Sequence, residues 1–457
     1  MRRLSGSLGL LLLAGSLSPR PASASEDALS SQETVRLTLA GALERARRDA
    51  PSVLTAAAQT AIAAARREDA GVSLLPTLSA SAGLNAGANK TSRSVETGGA
   101  AGPPTELEAE SLSTGLEASL TARWLLWDFG RAASSEEALA AALQAATSDE
   151  QTAQRSAVLL VANAYLAVLA DEEAVASATQ TLEQRTRQAD IARRRVAAQV
   201  AAPIEEVRAS IAVESARGEL ARAQGALRRD KAQLAGAMGL PATVELELER
   251  FEVTPVAVTA DEAGALASAS RPEVAAAKQR LMTAELQVAI AGANHRPSLL
   301  LSGSVGPSWQ ATDTPSSQTS AGANAALVFS LPLIDPSVGA AERAAMAQRA
   351  AAGAVLEQVR QAVATEAVTA VLDAEQARVS LSIAEQTAKL AAANLVQAEG
   401  RYAAGAAPLM ELLDAQLQDS LARQALVSQR YQAGRAQFGV IGAIGELGRL
   451  FEMAGGG

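Results

Sequence analysis

The sequence has no cysteine and a single histidine, His295. The missing thiols exclude disulfide bonds, thiolate metal sites, cysteine nucleophiles and a lipid-modified N-terminal cysteine. One histidine is too few for a metal site built from several imidazole groups, and it has no partner suited to catalysis. We therefore predict no catalytic residue, no bound metal and no cofactor, and we expect that the protein is not an enzyme.

Aromatic residues are also scarce, and positive charge is not in excess. Aromatic residues make up 2% of the 457 residues, fewer than a compact core of this size normally uses. Lys and Arg number 40 against 49 Asp and Glu, and the resulting net charge of −9 argues against a nucleic-acid partner. Alanine dominates instead, which is typical of long helices packed close together.

The N-terminus resembles a secretory signal peptide. Arg2 and Arg3 are followed by a short apolar run, Leu8–Leu17, and by the small-residue cleavage pattern Ala22-Ser23-Ala24. This run is shorter than the about 20 residues of a membrane-spanning helix, and no later apolar segment is long enough. We expect a mature chain outside the cytoplasm, in which any membrane crossing uses β-strands.

The two halves of the sequence resemble each other in the order of their motifs. Ala50-Pro51-Ser52-Val53 corresponds to Arg271-Pro272-Glu273-Val274, and Leu126-Trp127-Asp128 corresponds to Leu333-Ile334-Asp335. Such self-similarity predicts an internal structural repeat. The predicted division is a signal peptide (1–24), a first repeat (25–240), an inter-repeat linker (241–262), a second repeat (263–445) and a flexible C-terminal tail (446–457).

Each repeat has short segments in which apolar and polar residues alternate. The clearest is Leu112–Trp124, where Leu, Ala and Trp alternate with Ser, Thr, Gly, Glu and Arg, as in a β-strand. The segments between paired strands are rich in Gly, Ser, Thr and Pro, which predicts loops. The predicted strands are Thr77–Gly87, Leu112–Trp124, Ser298–Gly306 and Ala323–Leu333, and the predicted loops are Ala88–Ser111 and Pro307–Gly322.

The alternation allows two interpretations. The apolar face meets a core in a soluble sheet, and it meets lipid in a membrane barrel whose other face lines water. Four strands cannot close a barrel, since the smallest have about 8, so a membrane sheet requires several chains. Three chains would together supply twelve strands.

Helical segments surround the strands. Ala132–Ala198 contains neither proline nor glycine, and a continuous helix there would be about 100 Å long. Its apolar residues recur at alternating steps of three and four, the pattern of a coiled coil. The predicted helices are Leu39–Val72, Ala132–Ala198 and a return helix from Glu205 in the first repeat, and Ala263–Asn294, Ala340–Ala404 and Leu409–Gly439 in the second. The turns are Gln199–Pro203 and Gly405–Pro408.

Five motifs resemble one known family over nearly the whole mature chain. They are Leu75-Pro76-Thr77-Leu78-Ser79, Trp124-Leu125-Leu126-Trp127-Asp128-Phe129-Gly130-Arg131, Leu331-Pro332-Leu333-Ile334-Asp335, Arg401-Tyr402-Ala403-Ala404-Gly405 and Leu409-Met410-Glu411-Leu412-Leu413-Asp414-Ala415-Gln416. Their order, in duplicate and behind a signal peptide, is similar to that of the TolC family of outer-membrane efflux and secretion channels.

The resemblance implies a mostly helical fold with a membrane β part. Each chain would give four strands to a twelve-stranded barrel in a homotrimer, and its long antiparallel helical hairpins would form an α-barrel in the periplasm. The protein would lie in the outer membrane, in contact with its lipid. It would dock to a periplasmic adaptor (a membrane fusion protein) and an inner-membrane pump or ABC exporter, and export small molecules or polypeptides. The alternative is a soluble periplasmic coiled-coil scaffold or adaptor protein.

The resemblance also places functional residues. The acids matched to the family's periplasmic aperture are Glu205, Glu411 and Asp414, and the possible aperture partners are Arg195 and Arg401. The adaptor-docking tips would include Gln199, Val200, Gly405 and Ala406. Trp124 and Trp127, at a strand end, are expected at the membrane edge. A simpler interpretation of the acids remains open, because acidic residues in a first turn favour the helix dipole.

Overall fold

The computed structural model describes residues 35–72, 75–95, 105–251, 253–312 and 316–455, so the predicted signal peptide lies outside the described residues. Most of these residues are helical. The elements in chain order are β1 (Val35–Leu37), α1 (Leu39–Asp49), α2 (Pro51–Val72), β2 (Thr77–Val95), β3 (Thr105–Trp127), α3 (Arg131–Ala197), α4 (Pro203–Ala237), β4 (Leu246–Leu248), α5 (Ala260–Ser270), α6 (Pro272–Ala293), β5 (Ser298–Thr312), β6 (Ser316–Ser330), α7 (Pro336–Ala403), α8 (Leu409–Ile444) and α9 (Gly448–Gly455).

Each half begins with two helices, where the sequence predicted a single long one. α1 and α2 have 11 and 22 residues, and α5 and α6 have the same two lengths. The break follows from Pro51 and Pro272, because a proline forces the preceding residue out of the helical region. Ala50 and Arg271 accordingly have extended backbones, with ψ of 136° and 131°.

The long hairpin helices agree with the sequence pattern. α3 has 67 residues and α7 has 68, and each is followed by a shorter return helix of 35 or 36 residues. A matched aspartate lies at the start of both long helices: Asp335 is the N-cap of α7 and accepts a hydrogen bond from the backbone N–H of Ser337 (2.9 Å), and Asp128, two residues before the N-cap of α3, accepts one from Ala132 (2.8 Å). The two aspartates thus fix the point at which each strand pair gives way to a helix.

No described helix is long and apolar enough to cross a membrane.

The four long strands form one antiparallel sheet in the order β2-β3-β5-β6. They have 19, 23, 15 and 15 residues, and they extend far into the segments predicted as loops. Gly87 to Val95, for example, pairs continuously with Ser113 to Thr105. The loop prediction is wrong there because ladder hydrogen bonds belong to the backbone, so Gly, Ser and Thr can extend a strand whose faces are not packed in a core.

The largest core lies near the middle of α3, where α1, α3, α4, α8 and α9 meet. Its centre is Tyr165, fully buried, whose hydroxyl group reaches the carbonyl oxygens of Leu37 (2.9 Å) and Glu249 (2.6 Å). The short strands β1 and β4 pair in parallel across this core, and the sequence pattern did not predict either. The predicted linker therefore contributes β4 to the core.

The predicted flexible C-terminal tail is wrong for most of its length. Residues 448–455 form α9, which packs against α1. Leu450 is fully buried in the main core, and Leu447, Phe451 and Met453 are partly buried against it. Burial of these apolar side chains stabilises the helix as far as Gly455.

A second buried feature joins the two halves by charge. Arg155 of α3, 7% exposed, forms an ion pair with Glu273 of α6 and donates to the carbonyl oxygen of Gly442 in α8 (2.9 Å). Arg271, 4% exposed, also pairs with Glu273 (2.9 Å) and with Glu366 of α7 (2.6 Å). Burial and the neighbouring Arg271 lower the pKa of Arg155. Four helices thus meet at two arginines that share one carboxylate.

We predict that Glu273→Ala destabilises the protein strongly, because it leaves two buried guanidinium groups without their shared partner. Breaking a buried ion pair typically costs about 3–5 kcal/mol. Glu285→Ala is the matched control, since Glu285 lies on the same helix in an exposed pair with Arg349 (3.4 Å) that is worth at most about 1 kcal/mol. Denaturant unfolding of the purified protein in detergent measures both; equal midpoints would contradict the prediction.

Candidate functional site

The turn between α3 and α4 is the first candidate tip. Gln199 has a left-handed backbone, with φ of 60°, and its N–H donates to the carbonyl oxygen of Val196 (2.9 Å). The N–H of Val200 donates to Arg195 (2.9 Å). These paired bonds are those of a Schellman turn, which closes a helix C-terminus.

The turn between α7 and α8 repeats this geometry. Gly405 has φ of 72°, its N–H donates to Tyr402 (3.0 Å), and that of Ala406 donates to Arg401 (2.8 Å). Glycine adopts this conformation without strain, whereas a residue with a Cβ does so at a cost of about 1–2 kcal/mol. The first tip therefore keeps the same fold with a strained glutamine in place of the glycine.

The second tip brings two predicted residues together. Arg401, in the last turn of α7, forms an ion pair with Glu411, in the first turn of α8. Asp414, one turn further along, accepts a hydrogen bond from Nε2 of Gln418 (2.9 Å). The tip is thus held by an exposed ion pair above a small apolar cluster, made by Leu395, Ala398, Tyr402, Leu409, Leu412 and Ala415.

The first tip does not repeat this pair. Arg195 and Glu205 occupy the positions that match Arg401 and Glu411, but the structure does not bring them together. The guanidinium group of Arg195 instead lies 4.8 Å from the ring centroid of Tyr402, a cation–π contact between the two hairpins. Among the described residues, Oε2 of Glu205 is buried and has no hydrogen-bond partner.

Two contacts at the tips were missed by sequence reasoning. Arg193 pairs with Glu206 (3.3 Å) and so links α3 to α4 across the first turn. Tyr402 is buried, and its ring contacts the guanidinium group of Arg195 in the other hairpin. The residue types can be read from the sequence. The contact between α3 and α7 at the tip depends on the tertiary structure, and no local sequence pattern predicts it.

The sheet is the second candidate site, and its two faces differ sharply. On one face, aligned apolar side chains lie next to each other across the strands and remain exposed. Leu116 is opposite Leu84 and Trp309, and Trp124 is opposite Leu301. The large exposed residues of this face are Leu78, Leu84, Leu112, Leu116, Leu120, Trp124, Leu301, Val305, Trp309, Leu327 and Phe329. No other described element covers it.

The opposite face is built mainly from small polar residues, except at its helical end, where Leu125, Leu300 and Val328 lie in a row. Oγ of Ser81 lies 2.8 Å from Oγ of Ser119, and Ser308 and Ser320 are related in the same way. Asn324 accepts hydrogen bonds from both the backbone and the side chain of Ser304. A mainly polar face behind an apolar face is the pattern of a sheet between water and lipid.

The two predicted membrane-edge tryptophans lie at the helical end of this sheet. Trp127, 60% exposed, is the last residue of β3, and its ring stacks on Phe129 at 5.1 Å between centroids. Trp124 is 43% exposed on the apolar face. Their place at the membrane edge stays a prediction.

The described residues contain no cluster of three or more His, Cys, Asp or Glu side chains that could hold a metal ion.

The comparisons with known proteins agree with this geometry. The sequence profile of a family described as outer membrane efflux protein matches residues 42–240 and again residues 264–446. Protein CyaE of Bordetella pertussis is 28% identical to this chain over 340 residues, which are 72% of this chain and 71% of that protein.

Solved structures show the same fold. The outer membrane protein VceC of Vibrio cholerae has a TM-score of 0.69 at 22% identity, over 89% of this chain and 96% of that one. The MtrE outer membrane channel of Neisseria gonorrhoeae, solved in an open state, has a TM-score of 0.67 at 22% identity, over 89% of each chain. Since the family profile matches most of the chain, the protein belongs to the outer membrane efflux protein family, the TolC-like channels, and is a transport protein and not an enzyme.

Proposed function

We propose that three copies of this chain form an outer-membrane channel that continues through the periplasm as a helical duct. The duct would dock by its tips to a periplasmic adaptor and an inner-membrane pump or ABC exporter, and it would carry small molecules or polypeptides out of the cell. The observation that carries this proposal is the four-stranded sheet with one exposed apolar face and one polar face.

The edges of the sheet support the homotrimer. β2 and β6 have partners on one side only within the chain. Lipid offers no hydrogen-bond partners to an open edge, so a sheet in the membrane must close on itself. Four strands are too few, because known barrels need about 8 or more. Three chains give the twelve strands that the family resemblance implies.

The helical tips support the docking role. Val200 is 68% exposed although it is apolar, and Gln199, Gly405 and Ala406 are exposed beside it in the turns. The exposed apolar residue is available to a partner at the end of the duct farthest from the sheet. We assign the adaptor contact to these four residues and the aperture to Glu205, Glu411 and Asp414.

Two further features favour this arrangement. The family profile matches twice, over segments close to the two predicted repeats, which supports a chain built from two similar units. The alternative, a soluble periplasmic scaffold, would leave the apolar face of the sheet in water, a patch of a size that soluble monomers rarely expose.

We predict that Leu120→Arg prevents insertion and Thr121→Arg does not. Leu120 lies on the apolar face, where an arginine near the middle of the bilayer costs about 2–4 kcal/mol, whereas its neighbour Thr121 lies on the polar face. The measurement is membrane fractionation followed by light scattering of the detergent extract. The parent protein and Thr121→Arg should give trimers in the outer-membrane fraction, and Leu120→Arg should give none.

Release of the parent protein by osmotic shock, as a soluble monomer or dimer, would contradict the channel and favour the scaffold.

We also predict that Arg401→Ala increases conductance. The Arg401–Glu411 pair fastens α7 to α8 in each copy, and its loss releases all three tips together. Arg217→Ala is the control, because it removes an exposed pair with Glu214 (2.7 Å) within one helix, away from the turn. Planar-bilayer recordings should show a several-fold rise for the first variant only. Equal conductance of Arg401→Ala and the parent would rule out this pair as a fastening of the aperture.

A further inference from the structure

In the described part of the sheet where all four strands are paired, which in β3 is residues 113–127, two residues are ionisable. They are Glu117 and Arg123, both in β3 and both on the polar face. The aligned parts of the other strands, Thr77–Gly87, Ser298–Thr312 and Gln318–Ser330, carry no ionisable residue on either face. Every formal charge of this region therefore depends on two positions per chain.

Neither charge has a neutralising neighbour in the sheet. Glu117 lies opposite Gly83 in β2 and Ser308 in β5. The absence of a side chain at Gly83 leaves the carboxylate open to solvent, and Glu117 is exposed. Among the described residues, neither the Glu117 carboxylate nor the Arg123 guanidinium group forms an ion pair or a hydrogen bond, and the only side-chain contact is from the Thr77 hydroxyl group to the backbone carbonyl of Arg123 (3.3 Å). Because no opposite charge in the sheet neutralises them, these two charged groups can attract or repel ions in the adjacent water.

Arg123 is in the same situation at the other end of the strand. It lies opposite Thr77 and Ser302, both uncharged, and it is exposed. It lies six positions beyond Glu117, which is about 20 Å along a strand. That exceeds the Debye length of about 8 Å at physiological ionic strength, so the two charges act on a solute separately.

We propose that Glu117 and Arg123 set the charge selectivity of the strand-lined part of the channel. This inference rests on the proposed function, because three copies turn each residue into a ring around the lumen. Arg123, nearer the helices, forms a cationic ring that cargo from the periplasm meets first. Glu117 forms an anionic ring further out. A solute with one net charge is attracted at one ring and repelled at the other, so neutral or zwitterionic cargo passes most readily.

The test is the reversal potential in planar bilayers under a KCl gradient. Glu117→Gln removes the outer ring and should shift the potential toward anion preference, while Arg123→Gln should shift it toward cation preference. Both shifts should shrink near 1 M salt, where the Debye length falls to about 3 Å. Glu117→Asp keeps the charge and should behave as the parent.

Glu247→Gln is the matched control for loss of an acid. Glu247 lies in β4 between two core-facing leucines and pairs with exposed Arg36 (3.2 Å), away from the sheet that lines the channel. It should leave the reversal potential unchanged.

The outcomes separate the inference from its basis. Trimers that conduct, with the parent's reversal potential in both Glu117→Gln and Arg123→Gln at low salt, would overturn the selectivity role and leave the channel standing. A parent protein that forms no conducting trimer would overturn the proposed function and this role together.

Discussion

Backbone hydrogen bonding at the edges of one sheet constrains the whole molecule. β2 and β6 each leave one side unpaired, and the apolar face between them is exposed. Water can satisfy an open edge, but lipid cannot, so a sheet of this composition in a bilayer is complete only in an assembly. The remaining architecture is compatible with this constraint, because the strand pairs from the two halves lie side by side and both lead into long helices.

The two halves use the same elements with different chemistry. At the tips, matched arginines and glutamates pair in the second hairpin but not in the first, where Arg195 contacts Tyr402 of the other hairpin. At the midpoint, Arg155 and Arg271 share Glu273, whereas the corresponding joint of the first half packs Ala50, Val53 and Ala157. The same order of elements thus carries different side-chain contacts in the two halves. The two hairpins of one chain can therefore differ in stability.

Sequence reasoning succeeded where a pattern is long and local, and failed where geometry is tertiary. The uninterrupted run after Ala132 predicted α3 almost to its ends, and alternation identified the sheet and its faces. Strand length was underestimated because Gly, Ser and Thr are usually loop residues. The cluster around Glu273 joins residues that are distant in the chain, and the left-handed backbone of Gln199 has no signal in its residue type. The roles of the tip residues were inferred from family resemblance and remain proposals.

The unbroken length of α3 and α7 has an evolutionary consequence. Packing between helices depends on which side of each helix a residue faces, and one inserted residue rotates everything beyond it by about 100°. Insertions or deletions of about seven residues (two turns) or about eleven (three turns) restore the contact side, whereas most other lengths do not. Since α3 packs against α4, α6 and α8, and α7 packs against α5, α6 and α8, a matching change is needed in every partner. The reach of such a duct can therefore change between species only in coordinated steps of about 10–17 Å.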